Sequence, residues 1–322
     1  MKIVHIFNPE TDFALASGAE YYTPPRNVVT LRRKMALTPA LFAKKGEYIL
    51  LLDRMSNEEL TQLDHYDLVL TKRLIILPLD AQLPEDAVAK PWGWNLSMRK
   101  FLFNKGMDIS MLPSEEDIAN LRRLSHRRTT IAFLKEVYSL MDYTVSYPLS
   151  IELETEDAVS EWCEANIGGY LKAPWSSSGR GVYRVLRSDG DDIRGWVRGT
   201  LRRQGSLLAE PGWRRVFDFA TEWLVENGDI RFIGYSVFNV DDHSQYTCNV
   251  IDSQTNLKAL IDDKSGGMCD RCVEAQRVAI EKLIAPYYNG PLGIDCLIDD
   301  MGCINPCVEI NMRMTMGMVP LL

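Results

Sequence analysis

No run of apolar residues in this sequence approaches the ~20 that a helix needs to cross a bilayer, so no membrane span is expected. The N-terminus MKIVHIFNPE lacks the shape of a secretory signal. An apolar run of strand length gives way to polar residues, with no small-residue cleavage site. A basic excess is missing too. The net charge is -8, and the basic clusters are short: Arg32–Arg33–Lys34, Arg127–Arg128, Arg202–Arg203 and Arg214–Arg215. Nucleic-acid binding needs a clustered basic surface, so it is not expected. Internal repeats, low-complexity tracts and an evident flexible linker are also lacking. The expectation is a cytoplasmic protein whose seven cysteines are reduced. Cys269 and Cys272 form a C-x-x-C, with Cys303 and Cys307 further on, but the second pair encloses Pro306 and no histidine is near either. They read as free thiols rather than as a zinc site.

What is present is enough chain, at 322 residues, for two domains or several packed subdomains. Lys2 to Phe7 reads as a strand that breaks at Asn8–Pro9 into a loop-like stretch ending in Pro24–Pro25. Thr38–Pro39 reads as a cap and first position of a helix that stops near Gly46. Tyr48 to Leu52 and Asp67 to Leu70 are further strand candidates, and the alternation points to a parallel sheet. Helices are expected over Leu96–Lys105, from Ser114 onward, and over Thr129–Leu140, followed by a strand from Val145 to Ile151. The remainder reads mainly as strands. Phe217–Val225 and Ile230–Val240 are joined at Glu226–Asn227–Gly228–Asp229, a hairpin signal. A helix over Cys269–Ala285 and strands at Ile294–Ile298 and Cys307–Ile310 complete the chain.

Two stretches carry chemistry. In LKAPWSSSGRGVYRV a strand delivers Lys172 to a loop of Ser176, Ser177, Ser178, Gly179, Arg180 and Gly181. Glycines admit backbone N–H groups to phosphate oxygens, serines add hydroxyl donors, and lysine supplies a point charge. The P-loop pattern G-x-x-x-x-G-K-[ST] is absent, and a plain serine–glycine hairpin stays open as a reading. In GIDCLIDDMGCINPCVEINMRMTMG, Asp295 and Glu309 fall on two strands joined by a turn, and Glu309 and Asn311 share a face. Three oxygen ligands on one open face suit Mg²⁺, which keeps sites for substrate phosphates. Polar residues interrupting an apolar strand argue that the face has a job.

The closing E-I-N-M-R resembles the metal-binding motif of the ATP-grasp superfamily, and M-T-M-G-M-V-P resembles the substrate-side loop of D-alanine–D-alanine ligases. The Lys172 region is similar to that family's phosphate-binding lysine and glycine-rich lid, and LLAEPGW to its adenine-clasping linker. SHRRTTIAFLKEV resembles the start of the small subdomain, with Arg127 where lysine is usual. An arginine that such ligases carry two positions before the strand aspartate is Gly293 here.

The resemblance implies an α/β (α+β) chain. A Rossmann-like pre-ATP-grasp domain at 1–112 would precede a small ATP-grasp subdomain at 113–206 and a metal-bearing one at 207–322. It implies that Arg127, Lys172 and the Ser176–Gly181 loop hold ATP phosphates, Glu210 meets adenine and Asp218 the ribose. It further implies that Asp295, Glu309 and Asn311 bind Mg²⁺, with Mn²⁺ as a substitute, and that Arg313 or Arg180 stabilises the transition state. The expected reaction activates a small-molecule or peptide carboxylate as an acyl phosphate for an amine. A kinase and a non-catalytic nucleotide-binding module stay open beside it. Asn8, Glu10 and Asp12 follow the first strand, where open α/β sheets place ligands, and they equally suit a hydrogen-bonded loop.

Overall fold

The computed structural model describes residues 1–141, 149–176, 181–186, 191–240 and 246–322. The chain divides into two compact units. One comprises residues 1–122 with 313–315 and 322; the other comprises 123–312 with 316–321.

The first unit is built on a parallel sheet in the order β3-β2-β1-β4, with β1 at Lys2–Ile6, β2 at Tyr48–Leu50, β3 at Ile75–Leu77 and β4 at Ala87–Pro91. Parallel strands are covered on both faces, which is why Val4, Ile6, Ile49 and Leu50 are all fully buried. Loops leaving β1 and β4 are tied together where those strands end. Asn8 Nδ2 donates to the Gly93 carbonyl at 2.7 Å, and Gly93 N–H donates back to Asn8 Oδ1 at 3.3 Å. A side chain at Gly93 would sit 2.6 Å from Thr11, so only glycine permits that approach. Asn95 then caps helix Leu96–Asn104 by accepting from the Met98 N–H at 2.8 Å.

Three expectations for this unit are corrected. Residues 11–17, expected to be loop, form a helix, Thr11–Ser17, that buries Thr11, Ala14 and Leu15 and ends at Gly18 with φ 64°. Asp67–Leu70, expected as a strand, lies in helix Asp67–Lys72; the strand is β3, which begins at Ile75. The helix expected from Thr38 is only a 3₁₀ turn, Thr38–Leu41. Thr38 does not cap it, because its hydroxyl donates backward to the Met35 carbonyl at 2.8 Å.

The second unit carries two antiparallel sheets. The smaller has the order β5-β8-β6-β7, with β5 at Ile151–Leu153, β6 at Tyr170–Lys172, β7 at Val182–Arg184 and β8 at Leu207–Glu210. LLAE, expected to be part of a linker, is therefore a strand at the sheet's centre. The expected strand from Val145 falls mostly on 142–148, outside the described residues. Helices Glu156–Ala165 and Asp191–Gln204 accompany this sheet, whose core holds Leu153, Val159, Leu171, Val197 and Leu207.

The larger sheet has the order β11-β10-β9-β12-β13. Its strands are β9 at Arg215–Glu226, β10 at Asp229–Val240, β11 at Tyr246–Val250, β12 at Gly290–Asp299 and β13 at Ile304–Asn311. β9 and β10 meet through Asn227 and Gly228, both at positive φ (53° and 85°), the conformation a tight hairpin needs. One face carries Phe219, Thr221 and Trp223 of β9 with Ile294 and Cys296 of β12, all buried, near helices Thr129–Met141 and Cys269–Leu283. Gln276 of the latter helix is wholly buried. Thr221 Oγ1 donates to its Oε1 at 2.9 Å, and its Nε2 donates to the Pro306 carbonyl at 2.7 Å. The opposite face of the same strands is polar.

Candidate active site

Side chains alternate along a strand, so the register assigns the polar face. Asp218, Ala220 and Glu222 of β9 lie opposite Leu297, Asp295 and Gly293 of β12. Across the next ladder, Asp295 pairs with Glu309 and Gly293 with Asn311. The face therefore runs from Asp218 and Leu297, through Asp295 and Glu309, to Glu222, Gly293 and Asn311. Asn311 is nine-tenths buried, and its Nδ2 donates to Asp295 Oδ2 at 3.3 Å. The three expected metal ligands are adjacent, as their spacing predicts.

The smaller sheet brings a second pair. Tyr170 is opposite Glu210 and Lys172 is two residues along, so Lys172 and Glu210 are diagonal neighbours on one face. Their side chains close the gap, with Lys172 Nζ 2.6 Å from Glu210 Oε2. Both are largely buried, at 8% and 14% side-chain exposure.

Arg127, just ahead of helix Thr129–Met141, joins the two sheets. Its Nη1 donates to the Ala173 carbonyl at 2.7 Å and to Ser176 Oγ at 2.6 Å, and its Nη2 donates to Glu309 Oε1 at 2.7 Å. Backbone geometry fixes the root of the serine–glycine segment. Ala173 N–H donates to the Gly181 carbonyl at 2.7 Å, and a side chain on Gly181 would lie 2.5 Å from Ser176 Cβ. Ser177, Ser178, Gly179 and Arg180 lie outside the described residues.

Cys307 shows that these groups converge. Burial pushes its thiol well above the ordinary range. Asp295, Glu210 and Glu309 push it further, while Lys172 pulls it back. Charges from both sheets thus act on one buried sulfur. Asp218 stands further along the same face, its carboxyl pushed up to about 6, chiefly by burial; Arg215, at 3.4 Å, opposes the shift.

Glu222 is a residue the sequence reading passes over. It is 1% exposed, sits on the polar face beside Gly293, and lies with Ser236 against Gly317. Its signal was present in FDFATEWLV: a charged residue inside an apolar strand, the same argument that singled out Glu309.

Arg313 belongs with the first unit, where its Nε donates to Asp12 Oδ2 at 2.8 Å. Glu10 and Asp53 there flank Arg32, whose Nη1 is 2.5 Å from Glu10 Oε1 and whose Nε and Nη2 donate to Asp53 at 2.8 and 2.7 Å. Asn8 and Glu10, ahead of helix Thr11–Ser17, and Asp12 in its first turn are all engaged in such internal bonds.

Asp295, Glu309 and Asn311 present two carboxylates and a carboxamide. Among the described residues no group of three or more His, Cys, Asp or Glu side chains is arranged to hold a metal. An all-oxygen set this small fits Mg²⁺, which completes its shell with water and phosphate oxygens, better than zinc. Among the described residues, no helix is long and apolar enough to cross a membrane.

No protein-family model matches the sequence, and no curated protein matches it. Solved structures do. Biotin carboxylase from Campylobacter jejuni, in a complex with β,γ-ATP, is 16% identical with a TM-score of 0.60, over 99% of this chain and 67% of that one. N5-carboxyaminoimidazole synthetase from Staphylococcus aureus, complexed with ADP, is 12% identical with a TM-score of 0.53, over 98% and 71%. Phosphoribosylamine–glycine ligase from Thermotoga maritima is 12% identical with a TM-score of 0.52, over 99% and 70%. The chain spans about two thirds of the length of these structures. At such identity the likeness concerns architecture, which in this chain is a parallel sheet followed by two antiparallel ones. The chain has the ATP-grasp fold.

Proposed function

We propose that this protein is an ATP- and Mg²⁺-dependent ligase that activates a carboxylate as an acyl phosphate for attack by an amine. The observation that carries the reading is the register pair Asp295–Glu309 with Asn311 bonded to Asp295, on the face where Lys172 and Arg127 supply positive charge. The similar structures named as complexes with ADP or an ATP form support a nucleotide on this fold.

In this reading Lys172 and Arg127 hold the phosphates, Glu210 meets the adenine and Asp218 the ribose. Leu297, buried and opposite Asp218, supplies apolar floor beside the nucleoside. Asp295, Glu309 and Asn311 hold the cation, and Mg²⁺ bound there neutralises phosphate charge. The substrate carboxylate attacks the γ-phosphorus, the bond to the β-phosphate oxygen breaks, and ADP leaves. The amine then attacks the acyl carbon, phosphate departs, and the nitrogen loses a proton. Little covalent chemistry falls to the protein. Arg127 and Lys172 orient the polyphosphate and offset charge as it moves, and burial of both strengthens those interactions.

ADP release is the test, screened with amino acids and short peptides as paired carboxylate and amine. Ligation predicts turnover that needs both partners and Mg²⁺, and Glu309→Ala or Asn311→Ala lowers it at least about 100-fold. Release that needs no amine identifies a kinase, and binding without turnover on any pair identifies a non-catalytic module. Full activity in either variant removes the metal assignment.

A further inference from the structure

Arg127 is 5% exposed and its guanidinium is spent on three partners in two places. Ala173 and Ser176 form the root of the serine–glycine segment on the smaller sheet, and Glu309 lies on β13 of the larger. A lysine ends in one nitrogen on a flexible stem; a planar fork reaches carbonyl, hydroxyl and carboxylate at fixed angles. The backbone of Arg127 is pinned as well, its N–H donating to the Pro174 carbonyl at 3.0 Å and Thr130 Oγ1 donating to its own carbonyl at 2.7 Å. Its Nε, also buried, has no hydrogen-bond partner among the described residues. The arginine is thus held from several sides, with one of its charged contacts on a proposed metal ligand.

We propose that Arg127, beyond holding phosphate, makes divalent-cation binding at Glu309 and polyphosphate binding beside it depend on each other. This rests on the reading of the face as a Mg²⁺–nucleotide site. A cation arriving at Glu309 meets the guanidinium 2.7 Å from one oxygen of that carboxylate, and like charges so close repel strongly away from bulk water. A polyphosphate at Lys172 and Arg127 removes that opposition, because it gives the guanidinium a second anion and the cation further oxygens. Each ligand therefore relieves the obstacle to the other. The same fork carries the effect to Ser176 and Ala173, since whatever shifts the guanidinium shifts its bonds to the hairpin root. Lys172, held at 2.6 Å by Glu210, adds a second basic group whose partner must share it with phosphate.

The test measures binding to the full chain. Mn²⁺ is titrated by the electron paramagnetic resonance signal of the free ion, with and without ADP, and ADP is titrated calorimetrically with and without Mn²⁺. In Arg127→Gln the neutral amide should tighten Mn²⁺ alone by about tenfold, weaken metal-free ADP by about tenfold, and cut the mutual enhancement by a similar factor. Tighter metal binding is a gain that partial unfolding does not produce. Arg127→Lys keeps the charge and loses the fork. Mn²⁺ alone should bind it as in the wild type, while hydrogen exchange at the Ala173 amide speeds up. Unchanged or weaker Mn²⁺ binding in Arg127→Gln, or an enhancement by ADP equal to the wild type's, overturns the coupling while leaving the nucleotide site standing. A wild type that binds no Mn²⁺–ADP overturns the site itself, and the coupling with it.

Discussion

Asp218→Asn should stabilise the protein at neutral pH, an unusual direction for a polar substitution. The carboxyl of Asp218 is pushed from the ordinary aspartate value of 3.8 to about 6, with burial the first cause and Arg215 opposing it. A carboxyl whose folded pKa lies above its unfolded one favours folding at low pH, where both states are protonated. Between pH 3.8 and about 6 the unfolded chain gives up the proton while the folded chain keeps it, so this contribution is lost as pH rises through that window. A gap of about two units corresponds to ~3 kcal/mol as a ceiling. With 16% of the side chain exposed and Arg215 able to rearrange, ~1–2 kcal/mol is the expected size. Urea unfolding followed by tryptophan fluorescence at pH 4, 5, 6 and 7.5 reads it directly. Asp218→Asn should match the wild type at pH 4 and exceed it by that amount at pH 7.5. A variant less stable at pH 7.5, or a difference that does not change with pH, refutes the electrostatic reasoning. A carboxylate held against its own stability is the kind that function retains. Nucleotide affinity of the same variant should accordingly fall, and in the wild type it should rise with pH through about 6.

Two further outcomes test the framework around the site. Arg32→Met should destabilise the first unit by ~3–5 kcal/mol, because Glu10 and Asp53 lose their shared cation while 9% and 13% exposed; thermal melts checking this should show far more than the ~1 kcal/mol of a surface pair. Gln276→Leu should cost ~2–4 kcal/mol in urea unfolding, since the buried Thr221 hydroxyl loses its acceptor and the Pro306 carbonyl loses an amide donor. Adding Thr221→Val should not recover it in a double-mutant cycle, because Trp223 Nε1, which donates to the Thr221 oxygen at 3.0 Å, is then left without its acceptor.

Long or strongly patterned elements were legible in the sequence. The β9–β10 hairpin announced itself through Asn227–Gly228, and the 15-residue helix Cys269–Leu283 through its apolar spacing. Asp295 and Glu309 could be paired because a short turn constrains register. Short elements were not legible. DLVLTK has an apolar run too short to tell helix from strand, and the choice is made by packing of Val69 against Ala40, Ala43, Ile49 and Leu74. Thr11–Ser17 was hidden by polar flanks, although Gly18 marked its end. Contacts between distant positions were beyond reach altogether: Arg127 and Glu309 are 182 residues apart, and nothing local says that one fork meets the other's carboxylate. The resemblance named Arg127 as a phosphate ligand; its three protein partners come only from the fold.

The first unit draws residues 313–315 from the far end of the chain, through Arg313 on Asp12 and the Met314 N–H on the Trp92 carbonyl at 2.9 Å. During synthesis, therefore, the unit holding residues 1–122 must wait for the 190 residues from 123 to 312 before the Met314–Trp92 backbone bond can form. A ribosome-released fragment ending at residue 312 would carry every strand of the parallel sheet yet lack the clasp on Asp12. The order in which these residues are made and the order in which they pack together therefore differ.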